Sequence, residues 1–63
     1  MTKTKKQIAF DIIESYIREL EEFGDGYGVV EQYDGAVSMA MMTGVITPTE
    51  KKDFDKRVND LLY

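Results

Sequence analysis

Apolar residues recur through the first part of the chain at Ile8, Ala9, Ile12, Ile13, Tyr16, Ile17, Leu20 and Phe23, in steps of three and four. Asp11, Glu14, Ser15, Arg18, Glu21 and Glu22 fill the other half of the same wheel, the pattern of a helix with one buried face. Thr4 and Gln7 mark its start, spaced as a capping box in which each side chain satisfies the other residue's backbone amide. Its end is expected near Gly24, because Gly24-Asp25-Gly26-Tyr27-Gly28 offers three residues that take positive φ without a Cβ clash.

Residues 29–45 admit two readings. Spaced as a helix, Val29, Val30, Tyr33, Ala36, Val37, Ala40 and Met41 share one face, and Ala36, Met39, Ala40, Met41 and Met42 are strong helix formers. Spaced as strands, Asp34-Gly35 makes a two-residue hairpin turn, with residues 29–33 pairing against the chain from Ala36 onward. Gly35 costs about 1 kcal/mol inside a helix. The helix still places more apolar residues on one side, so it is the expectation, and Gly44 would close it. Met39 and Met42 then fall opposite Val30, Val37 and Met41, beside Gln32, Gly35 and Ser38, which gives this helix a second apolar face.

After the short connector Val45-Ile46, Thr47-Pro48-Thr49-Glu50 is a complete helix start. Thr47 is placed to cap, Pro48 occupies the first helical position where no amide donor is missed, and Glu50 reaches back to close a second capping box. Phe54, Val58, Leu61 and Leu62 supply its apolar stripe. The expected fold is all-α, a three-helix bundle in up-down-up order forming one domain over residues 1–63. The alternative is an α+β fold with a hairpin at Asp34-Gly35 between two helices. The expected core is Ile8, Ile12, Ile13, Tyr16, Leu20, Phe23, Tyr33, Val37, Met41, Phe54, Val58, Leu61 and Leu62.

Composition narrows the chemistry. A chain of 63 residues buries only about 60% of its unfolded surface, and it has neither Cys nor His. That excludes disulfides, thiolate metal sites and an imidazole base. No apolar run approaches the roughly 20 residues that cross a bilayer, and Met1-Thr2-Lys3-Thr4-Lys5-Lys6 leads into an amphipathic stretch, so a cytoplasmic location away from membranes is expected.

The net charge is −4, unevenly spread. Three lysines and no acid stand in residues 1–6. Residues 7–34 set eight acids against Arg18 alone, a net −7, and residues 50–63 balance four acids with four bases. The strongest field has the wrong sign for a phosphate backbone, so direct nucleic-acid binding is not expected. A helix-turn-helix reading also fails on packing. Ala40 and Gly44 have the motif's four-residue separation, but Glu50 and Asp53 are charged where its second helix needs apolar residues.

Catalytic constellations are thin. Ser15 and Ser38 have no His to activate them, and the glycine cluster at residues 24–28 lacks the Lys-Ser/Thr of a phosphate-binding loop. Glu21 and Glu22 sit on an open helix surface with nothing to desolvate them. Asp25, Glu31 and Asp34 lack the alternating spacing of a calcium loop, so no metal or cofactor is expected.

Two surfaces remain. The first helix carries its charges against its own dipole, with Lys3, Lys5 and Lys6 at the start and Glu19, Glu21, Glu22 and Asp25 at the end. Arg18 is expected to relieve this through Glu14 and Glu22, four residues to either side. The sequence therefore points to a non-enzymatic protein-interaction or regulatory factor. Its contact residues would be Glu14, Glu19, Glu21, Glu22 and Asp25 toward a basic protein partner, or Gly35, Met39 and Met42 toward a partner that includes a second copy of the chain. The alternative is an acidic inhibitor of the phage or mobile-element type that occupies the basic groove of a nucleic-acid enzyme.

Overall fold

The computed structural model describes residues 2–26 and 28–63; Tyr27, in the expected turn, and Met1 lie outside the described residues. Three helices follow one another, α1 (Lys5–Phe23), α2 (Val29–Met42) and α3 (Pro48–Leu62). Asp34 and Gly35 both lie inside α2, so the hairpin alternative does not form. Continuing the helix lets Val29, Tyr33, Val37 and Ala40 share one buried stripe, which offsets the helix penalty of Gly35.

Both capping boxes are made. Thr4 Oγ1 accepts from the Gln7 amide at 3.1 Å while Gln7 Oε1 accepts from the Thr4 amide at 2.8 Å. Thr47 and Glu50 repeat the pair at 3.1 and 2.8 Å. α2 ends in a Schellman motif: the Val45 amide donates to the Ala40 carbonyl at 2.9 Å and the Gly44 amide to Met41 at 3.1 Å. Gly44 carries φ +73°, the left-handed backbone this closure requires, and the turn delivers Ile46 into the core at 3% exposure.

α1 and α3 run parallel and are joined by a ladder. Lys6 meets Glu50 at 2.8 Å, the Phe10 and Phe54 rings meet edge to face at 5.1 Å, and Arg57 grips Glu14 through both guanidinium nitrogens. On α1 these residues stand at successive steps of four, so one side of that helix is committed to α3. α2 meets α3 through Tyr33, whose hydroxyl donates to Asp55 at 2.9 Å, and Lys51 holds the other oxygen of that carboxylate at 2.5 Å.

The buried core is Ile13, Ile17, Leu20, Val29, Tyr33, Val37, Ala40, Ile46, Phe54 and Val58. Ile8, Ile12, Phe23, Leu61 and Leu62, expected there from periodicity, are exposed instead. Three helices packed around one core each turn a single side inward, so each keeps an outer face with nothing above it. Ile8 and Ile12 lie on that side of α1, away from the ladder to α3. Phe23, Leu61 and Leu62 sit in last turns, beyond the packed section. Tyr16 and Met41 are half-buried against the core edge.

Candidate contact surface

The side of α1 turned away from α3 and the adjoining side of α2 form an open apolar groove of about 440 Å³. Ile8, Ala9 and Ile12 line it from α1, Ala36 and Met39 from α2, and Val45 closes one end. Ile8 remains 47% exposed, Ile12 45% and Met39 64%, and Met42, one turn beyond Met39, is 85% exposed. These side chains are therefore surface, not core, and neither α3 nor the connector covers Met39 and Met42.

Polar groups on the groove are few. Thr43 turns its hydroxyl back on its own helix, donating to the Met39 carbonyl at 2.9 Å. Lys5 stands on the rim. The other lysines at that end are engaged, Lys3 with Asp11 and Lys6 with Glu50 while lying 5.8 Å from the Phe10 ring centre. Residues 35–49 contain no Asp, Glu, Lys or Arg at all. That uncharged run was the available signal for an apolar surface reaching past Met39 and Met42 to Ala36 and Val45. What it does not show is the contribution of Ile8 and Ile12, because periodicity alone assigns them to the core.

Gly35 is exposed, and a Cβ built on it would meet nothing within 4 Å. Its φ is not positive either. Nothing within the chain therefore accounts for glycine at this helix-interior position, where it costs about 1 kcal/mol.

The acidic residues divide into two groups. Glu14 serves the fold: the Arg57 guanidinium donates to it at 2.9 Å through one nitrogen and holds its carboxyl below the usual carboxylate range, against a smaller opposing effect of burial. Arg57 thus takes the place expected of Arg18, which forms no ion pair among the described residues. A partner on another helix reaches both carboxylate oxygens, which an i−4 neighbour does not match. Asp25 also serves the fold, since its Oδ1 accepts from the Val30 amide at 3.0 Å and caps α2, whose N-cap Gly28 has no side chain to do so. Its charge opposes the dipole of α1 but complements that of α2. Glu21 faces the Glu14–Arg57 pair from the same shallow pocket. Glu19 and Glu22 are exposed and take part in no ion pair among the described residues.

A third cluster joins Tyr33, Asp55 and Lys51. Burial, with the Asp55 carboxylate beside it, pushes the Tyr33 phenol far above its usual range. It stays protonated and acts as a donor across the α2–α3 seam. Among the described residues, no group of three or more carboxylates is placed to hold a metal ion. Among the described residues, no helix is long and apolar enough to cross a membrane.

No protein-family model matches this chain, and no curated protein and no solved structure is found to match it.

Proposed function

We propose that this is a cytoplasmic, non-enzymatic protein-interaction factor whose contact surface is the open face shared by α1 and α2. The observation that carries the proposal is the exposure of Ile8, Ile12 and Met39 around one groove with a single charged residue, Lys5, on its rim. Contiguous apolar surface of this kind is removed from water when a partner docks, and flexible methionine side chains adapt to what docks there. Met42 and Gly35 extend the same surface along α2.

A second reading rests on the other end of the molecule. Glu19 and Glu22, with Glu21 beside them, give the end of α1 an exposed acidic character with no base in its last turn. That surface suits a basic partner, including the nucleic-acid-binding groove of an enzyme that the protein would inhibit by occupying it. Acids at a rim raise association rates more than they hold a complex together, so this surface is secondary to the apolar face.

One capture experiment from source cells separates the two. The wild type is compared with Met39→Lys/Met42→Glu and with Glu19→Gln/Glu21→Gln/Glu22→Gln, at low and high salt. Loss of the bound partner in the methionine variant, with little effect of salt, supports the apolar face. Loss in the Gln variant and at high salt supports the acidic end. Full capture by the methionine variant would refute the first reading.

A further inference from the structure

The occupant of the α1–α2 face follows from how charge is distributed along α1. Spacing by three and four places Lys5, Ile8, Ile12 and Glu19 on one stripe, the stripe turned away from α3. Lys5 and Glu19 each stand seven residues from Ile12, roughly 10 Å along the axis in opposite directions. Neither takes part in an ion pair among the described residues. Such a stripe is complementary to itself reversed.

We infer that a second copy of this chain docks on this face, antiparallel about a twofold axis passing Ile12 and Met39, so that each Lys5 meets the partner's Glu19. The same rotation lays Met42 of one copy over the partner's Gly35. That position has room for it, because Gly35 leaves empty space where a Cβ would stand. It also gives a reason for a glycine that nothing inside the chain requires. Two open α1–α2 pairs then close on each other as a four-helix layer, and the apolar side chains of both grooves leave water together.

Size sets the expected strength. Residues 5–19 span roughly 21 Å, and two adjacent helices are about 20 Å wide, so the face projects to about 400 Å². Stable interfaces take about 800 Å² from each partner. The contact is therefore at the small end, and the dimer is weak, dissociating in the micromolar to millimolar range. This inference rests on the open face being a contact surface, and specifies what covers it.

Sedimentation equilibrium at low salt tests it with charge reversals. Lys5→Glu and Glu19→Lys each place like charges together twice in the dimer, and each removes a charge that opposes the α1 dipole, so the monomers should fold at least as well as the wild type. Thermal melts verify that. Each variant alone should dimerise at least about fivefold more weakly than the wild type. An equimolar mixture of the two should recover wild-type association, since every contact is again between opposite charges. A wild type that stays monomeric at millimolar concentration overturns the inference. So does a dimer that neither reversal weakens, or a mixture that does not recover. The reading of the face as a contact surface fails separately, when Met39→Lys/Met42→Glu still captures its partner in full.

Discussion

Replacing Thr47 with Ala tests whether the third helix is held by its cap. Thr47 Oγ1 is the acceptor for the Glu50 amide at 3.1 Å, and Glu50 returns the bond to the Thr47 amide at 2.8 Å while also meeting Lys6. Removing the hydroxyl leaves one amide of the helix start without its side-chain partner and frees Glu50 from half of its box, a loss of about 1 kcal/mol. A protein of this size holds about 3–9 kcal/mol in all, at ~0.05–0.15 kcal/mol per residue. With an unfolding entropy of ~2.1 cal/mol/K per residue, or about 130 cal/mol/K for the chain, 1 kcal/mol lowers Tm by about 8 °C. Thermal unfolding followed by far-UV circular dichroism reads that shift. Thr49→Ala, one turn position inside the helix and outside the box, is the control and should leave Tm unchanged or slightly raised. Equal melts for wild type and Thr47→Ala would show that the cap does not hold the helix, and the α1–α3 contact at Lys6 and Glu50 would then have to hold the helix start unaided.

Three further outcomes follow from individual contacts. Asp25→Ala should lower stability by about 1 kcal/mol in urea denaturation, because it uncaps α2 at the Val30 amide, whereas Asp25→Asn retains the acceptor oxygen and should cost less. Glu14 titrates below its ordinary value of 4.5 in the folded protein, so the stability it draws from Arg57 is complete above about that pH and is lost as pH falls through the folded value; the gap in urea midpoint between wild type and Glu14→Gln should shrink below pH 4.5. Gly35→Ala should stabilise the monomer by up to about 1 kcal/mol, since the added methyl meets nothing and the helix gains propensity; a destabilised variant in a dilute thermal melt would show that Gly35 serves the fold.

The helices were legible because their signals are local. A threonine three residues before a Gln or Glu forms its bonds within one turn, whatever the rest of the molecule does, and the structure makes both boxes. The contest at Asp34-Gly35 was decided by packing that no local signal contains: four apolar residues reach the core only if the helix continues through the glycine. Periodicity also shows which half of a helix is apolar without showing which neighbour it meets. Ile8 and Ile12 therefore read as core from spacing alone, though α3 lies on the Phe10 side of α1. A finer signal was present. Lys6, Phe10 and Glu14 read positive, aromatic, negative, while Glu50, Phe54 and Arg57 read negative, aromatic, positive, a match that fits parallel helices in this register. In the sequence Asp25 looks like one more acid of the partner-facing group, because its bond runs forward five residues, across the turn, to a helix whose own cap is a glycine.

If the face between α1 and α2 is where this molecule makes its contacts, with a second copy as the fitting occupant, association leaves its mark there residue by residue. Backbone amide NMR spectra recorded from about 50 μM to about 1 mM, a range that brackets a weak dimer, read it directly. Concentration-dependent shifts are expected at Lys5, Ile8, Ile12, Glu19, Gly35, Met39 and Met42, with Asp53, Lys56 and Asp60 on the outer side of α3 unmoved. Spectra that do not change with concentration, or changes gathered on α3, would contradict it.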